Sequence, residues 1–259
     1  AMEQGVRMIA LGDPEGSDKA SQLIAIASSL GLKSSIITSN PGENFESFNH
    51  GAIDWKEKMA MAHWVVNSAS MVTAGPSPAM AWSASMTFAE LEGCRNVMIV
   101  DMPSDPESIS MVWGQVIEKV RQIHVLFFTS ASLDAISKLE GSDGPDFLSR
   151  VREKTMIPLV CGYSESDSCA KVAHALDNIQ AQSSGESEGL RWLAGFLKAL
   201  PLSGAGIEGI RASRLVGVNC SQTHIRPYYQ KPLLKGHPFG RTREGTSTVS
   251  YTHLRAHET

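Results

Sequence analysis

Two glycine-rich turns and one strand-terminal carboxylate are where this sequence places groups able to do chemistry. A turn of small residues between a strand and a helix lets backbone N–H groups approach phosphate oxygens at the helix N-terminus. Gly12-Asp13-Pro14-Glu15-Gly16-Ser17 holds such a position. Its acidic residues oppose an anion, and it fits neither GxGxxG nor the P-loop pattern. A plain turn with Ser17 or Asp18 as helix N-cap is therefore expected. Ser203-Gly204-Ala205-Gly206 carries no charge before Glu208; it reads either as an anion-binding turn or as a flexible helix–helix connection. Asp101 closes an apolar strand. It either faces the crevice where open α/β sheets hold ligands or simply opens the turn before Pro103.

The other reactive side chains form no recognisable constellation. Cys94, Cys161, Cys169 and Cys220 contain no CxxC pair, so neither a zinc site nor a disulfide framework is expected. His63 and His124 each begin a strand without a Ser, Cys or acidic partner at motif spacing, which gives a nucleophilic triad no support. Trp64, Met71, Met80, Trp82 and Met86 fall at strand and helical spacing and read as core.

The elements that would position these groups alternate. Apolar runs at 6–11, 34–38, 63–67, 96–101, 124–129 and 156–161 read as strands. Stretches with three- and four-residue apolar spacing at 19–30, 77–91, 106–121 and 133–139 read as helices. That alternation predicts βαβ units: an α/β fold with a mostly parallel central sheet and helices on both faces. After Cys161 the strand signal fades, and 189–200 and 207–216 read as two consecutive helices broken at Pro201.

With 259 residues, 42% hydrophobic and 19% charged, the chain has a globular composition. No apolar run is long enough to span a membrane. Residues 1–222 hold 17 Lys+Arg against 25 Asp+Glu, so nucleic acid is not an expected partner. Residues 223–259 are basic and without sustained period, and form a second, irregular segment. Their closing stretch, 249–259, resembles translated sequencing-adapter read-through and is set aside, the alternative being a genuine basic tail. Reduced cysteines and the lack of a visible signal peptide point to a cytoplasmic protein.

Read in order, several segments resemble the ribokinase-like (PfkB) carbohydrate kinases, nearest to 2-keto-3-deoxygluconate kinases. The likeness spans about residues 16–220. GAIDWKEKMAMAHWVVNSAS at 51–70 is its clearest part, followed by NVMIVDMP with Trp113, HVLFFTSASLDAISKLEG at 124–141, LIAIASSLGLKSSIITSNPGEN at 23–44, and WLAGFLKAL at 192–200. The resemblance implies ATP-dependent phosphorylation of a sugar or keto-sugar acid, with ATP and Mg²⁺, a small-molecule sugar and nucleotide as partners, no resident metal ligands, and a homodimer left open.

The resemblance also assigns residues. The family's Gly-Ala-Gly-Asp turn, which receives the transferring phosphate and supplies the base, falls on Gly204, Ala205 and Gly206 in one register, with Ile207 in place of Asp and Glu208 next to it as the catalytic candidate. In the other register it falls on Ser187-Glu188-Gly189-Leu190, with Leu190 in place of the base. Asp101 and Gln22 become substrate contacts, and Gly162 marks the nucleotide side. The short distance between Gly31 and Ile53 leaves no room for the family's small lid sheet. A non-catalytic relative retained as a binding or assembly subunit is the alternative reading.

Overall fold

The computed structural model describes residues 5–142, 146–182, 188–204 and 206–221. The predicted segment 223–259 lies outside the described residues.

Eight strands form one sheet in the order β2-β1-β3-β4-β5-β6-β7-β8. These are β1 (Arg7–Leu11), β2 (Lys33–Ile37), β3 (Trp64–Ser68), β4 (Arg95–Val100), β5 (Ile123–Phe128), β6 (Leu159–Ser164), β7 (Cys169–His174) and β8 (Asn178–Gln182). The first six pair in parallel; β7 is antiparallel to β6 and β8 to β7. Strands β3 to β6 are almost wholly buried, as parallel strands with both faces covered must be.

The helices divide between the faces. Helices α2 (Trp55–Met59), α3 (Pro76–Leu91), α4 (Ile109–Glu118), α5 (Ser130–Leu139) and α6 (Phe147–Thr155) cover one face, with Trp82, Trp113, Phe128 and Phe147 at its core. Helices α1 (Lys19–Ser29), α7 (Gly189–Ser203) and α8 (Ile207–Ser221) cover the other, around Trp64, Phe127, Trp192 and Phe196. Alternation along each strand feeds both cores: Val97 and Ile99 point to the α1 and α7 side, Met98 and Val100 to the α3 and α4 side. Of the five residues expected in the core, Trp64, Met71, Trp82 and Met86 are buried, but Met80 is 58% exposed on α3.

The sequence signal misses the hairpin β7–β8 and helix α6. Strand β8, Asn-Ile-Gln-Ala-Gln, alternates exposed and buried; its apolar content is too thin to register as a run, although its period of two is that of a half-buried strand. Pro201 lies inside α7 rather than ending it. The carbonyl it leaves without a helical partner is that of Leu197, and the Trp64 indole N–H donates to that oxygen at 2.9 Å.

Between Ile37 and Trp64 the chain forms short 3-10 turns and α2. Strand β1 passes into α1 through Gly12–Asp18, and among the described residues all strands belong to the one sheet. No helix among them is long and apolar enough to cross a membrane.

Candidate functional site

The C-terminal ends of β1, β3, β4 and β5 share one edge of the sheet, its crest. Asp18 organises the part nearest α1. It caps that helix by accepting the Ser21 N–H at 2.9 Å, and it also accepts the Ser21 hydroxyl at 2.6 Å and the Asp13 N–H at 2.8 Å. A carboxylate there is favoured by the helix dipole and by three donors at once. Ser68, the last residue of β3, donates to Asp18 at 3.3 Å and accepts the Ala20 N–H at 2.8 Å. Gly12 makes this clustering possible, because a Cβ there would overlap Ser21 Oγ and lie 3.1 Å from Asp18 Oδ2.

Asp101 follows β4 and is 4% exposed. Its two oxygens accept the Ser70 N–H at 2.9 Å and the Ser70 hydroxyl at 2.6 Å. Burial pushes its carboxyl above the usual carboxylate range, the Ser70 hydrogen bonds oppose that, and Asp18 adds a further upward push. Asp101 thus anchors the 3-10 turn Ala69–Thr73 that follows β3. Thr129 caps α5, and the Ser132 hydroxyl donates to Val100 O at 2.5 Å. The crest is a row of carboxylates and hydroxyls at the strand ends and on the turns that leave them.

Of the residues singled out in the sequence, Asp101 lies in this row, and Gln22 lies beside it in the first turn of α1, donating to Ser17 O at 2.8 Å and accepting from Lys19 at 3.0 Å. Gly162 sits elsewhere. It is inside β6, paired with Phe128 and Lys171, and a Cβ there would meet Leu148 at 3.2 Å. The glycine makes room for packing between strand and helices.

Glu208, Gly204 and Gly206 are at the opposite end of the sheet. Helix α7 starts beside Tyr163 near the end of β6, where a Cβ on Gly189 would approach within 3.0 Å of that residue's Cβ. It runs down to Leu197, bonded to Trp64 at the start of β3, and to Lys198, which donates to Leu30 O just past the end of α1 at 2.7 Å. Gly204 caps α7 with a positive φ of 85°. Glu208 pairs with Arg211 at 2.8 Å, and Arg211 pairs with Asp177 in the β7–β8 turn, also at 2.8 Å. The direction of α7 therefore places Glu208 and Asp101 at opposite ends of the sheet. Ala205 lies outside the described residues.

The other register brings Gly189 and Leu190 to the crest end, with Ser187 outside the described residues. Leu190 is 7% exposed and packed into the core; Glu188 is the N-cap, 3.9 Å from Arg191. Ser68 and Ser70 are crest residues that the sequence patterns do not single out. Their signal is positional: a strand-terminal serine and a serine two residues on.

No family model and no curated protein sequence matches the chain. Solved structures do. The fold is shared with a fructokinase from Vibrio cholerae O395 in its fructose-, ADP- and calcium-bound form, at 12% identity and TM-score 0.61, covering 83% of this chain and 91% of that one. A putative 2-keto-3-deoxygluconate kinase from Enterococcus faecalis gives 11% identity and TM-score 0.63 over 84% and 91%. A PfkB protein from Polaromonas sp. JS666 gives 11% and 0.62 over 85% and 96%. The architecture is the ribokinase-like fold of the PfkB sugar kinases.

Proposed function

We propose that this protein is a PfkB-type carbohydrate kinase scaffold whose crest binds a sugar or keto-sugar acid, such as 2-keto-3-deoxygluconate, for phosphorylation by ATP with Mg²⁺. The single observation that carries this reading is the row Asp13, Asp18, Ser68, Ser70 and Asp101 along the strand ends of a sugar-kinase fold. Ionised carboxylates accept hydrogen bonds from vicinal hydroxyls, serine hydroxyls both accept and donate, and all are fixed by neighbours before a ligand arrives. The fructokinase neighbour carries fructose and ADP, which supports a sugar and a nucleotide as the ligand pair here.

Among the described residues no three His, Cys, Asp or Glu side chains are grouped to hold a metal. The fit is to a cation arriving with the nucleotide, since Mg²⁺ relies on phosphates and only one or two carboxylates. When bound, it would neutralise phosphate charge during transfer.

One observation favours a second reading, binding without turnover. Leu190 is buried at the head of α7, and Glu208 is at the far end of the sheet; neither supplies a base at the crest. Two measurements on the full chain separate the readings: ADP release across a panel of sugars and keto-sugar acids, and thermal shift with the same compounds with and without Mg·ATP. Sugar-dependent ADP release supports the kinase. A sugar-dependent shift without ADP release supports the binder, and neither shift nor release rejects the crest as a carbohydrate site.

A further inference from the structure

Three histidines at the end of the sheet opposite the crest share one arrangement. His63 Nδ1 accepts the Arg7 N–H at 3.2 Å where β1 begins. His124 Nδ1 accepts the Asn96 N–H at 3.2 Å. His174 Nδ1 accepts the Leu176 N–H at 3.3 Å in the β7–β8 turn.

Each ring takes a backbone donor at a place where the strand ladder ends or is interrupted. His63 also donates its own backbone N–H to Arg7 O at 2.9 Å, so backbone and ring together close the lower end of the β1–β3 pair. His124 is the extra residue at a register shift: Asn96 pairs with Ile123, and Val97 with Val125. The imidazole stands in for a strand carbonyl at that bulge. His174 donates its backbone N–H to Asp177 O at 3.1 Å while its ring holds Leu176, so it braces the hairpin turn from both sides.

An Nδ1 that accepts a hydrogen bond must be unprotonated, with the ring proton on Nε2. Protonation turns each acceptor into a donor facing a donor. We infer that His63, His124 and His174 form an acid-sensitive latch at the lower end of the sheet, closed when the rings are neutral and released when they take up protons.

The backbone of His63 is held from both sides of β3, its N–H donating to Arg7 O of β1 and its O accepting the Arg95 N–H of β4 at 3.1 Å. Burial and Arg95 lower the pKa of His124, against opposing pulls from a hydrogen bond with the Gln122 backbone and from Glu90 of α3. Burial and Arg152 of α6 do the same for His174. The Asp177 carboxylate, the nearby acid in that turn, is turned to Arg211.

The test is site-resolved amide hydrogen exchange on the intact chain at pH 7.5 and 5.5, corrected for intrinsic rates. A ring with an ordinary histidine pKa in the open form lowers protection by about tenfold at pH 5.5. That loss is expected at Arg7, Asn96 and Leu176 and not at the crest amides of Asp13 and Ser70. Equal protection at both pH values at the three amides overturns the latch. The second measurement uses H63N/H124N/H174N, since asparagine places a non-titrating acceptor near the Nδ1 position. Its urea midpoint should be level between pH 7.5 and 5.5 while the wild-type midpoint falls. A wild-type fall that persists unchanged in the triple variant also overturns it. Protonation of Asp101 works in the opposite sense, stabilising the fold as pH drops, so it cannot imitate the result.

Discussion

The indole N–H of Trp64 donates to the carbonyl oxygen of Leu197 across 2.9 Å of buried space, filling the place that Pro201 vacates in α7. A proline in a last helical turn ordinarily strands the carbonyl four residues before it. Here a side chain at the start of β3 completes the helix, and helix and sheet are joined at the same point.

Trp64→Phe keeps an aromatic ring and removes the donor. It should cost about 1–3 kcal/mol in urea unfolding, the range for leaving a buried acceptor unpaired. The same substitution in a Pro201→Ala background should cost less, because the backbone N–H restored at that position then serves Leu197. Equal costs in the two backgrounds would show that the indole bond does not compensate for the proline.

Asp101 separates anchoring from charge. Asp101→Asn retains an acceptor for the Ser70 N–H and removes a buried charge, whereas Asp101→Ala removes both bonds to Ser70. Because the folded state raises the carboxyl, stability is lost as pH climbs from the ordinary carboxylate range through the raised value, and acidification restores it. The asparagine variant should therefore gain on wild type at pH 7 and lose that advantage toward pH 4. The alanine variant should be the less stable of the two at pH 7, by thermal melting.

Gly12→Ala forces a methyl into Ser21 and toward Asp18. Overpacking of this kind costs about 1–3 kcal/mol, and it displaces the carboxylate that organises the crest near α1. The variant should melt lower and lose any sugar-induced thermal shift. A retained shift of wild-type size would remove Asp18 from the ligand site.

Glu208→Gln tests the direction of α7. The residue is in an exposed ion pair at the end of the sheet opposite Asp101, and such pairs contribute little to stability. Melting temperature, ligand shift and any ADP release should match wild type. A specific loss of turnover with stability intact would place Glu208 in the reaction after all.

Much of the scaffold is legible in the amino-acid sequence. Strands β1 and β3 to β6 announce themselves because parallel strands buried on both faces need unbroken apolar runs, as Val97–Val100 and Val125–Phe128 show, whereas β2, Lys-Ser-Ser-Ile-Ile, is mostly exposed. The hairpin after Ser164 does not, since Lys171, Gln180 and Gln182 alternate with its buried residues. Asp101 is legible as a strand-terminal carboxylate. Its partner Ser70 is not, because the bond spans 31 residues and depends on β3 and β4 being neighbours.

The choice between Gly189 and Gly204 as the turn nearest the crest is open in the sequence for a related reason. Both stretches precede helices and both are rich in small residues. Only the path of the chain through β7 and β8 fixes which one arrives at the crest, and that path is a non-local property.

That path also limits how the family of shapes around this chain can vary. Each antiparallel strand turns the chain end for end, so α7 meets the crest with its first residue only while an even number of them follows β6. Deleting or adding one would present the helix's tail instead, whereas gaining or losing them in pairs leaves the polarity intact. Insertions in this stretch should accordingly come as whole hairpins.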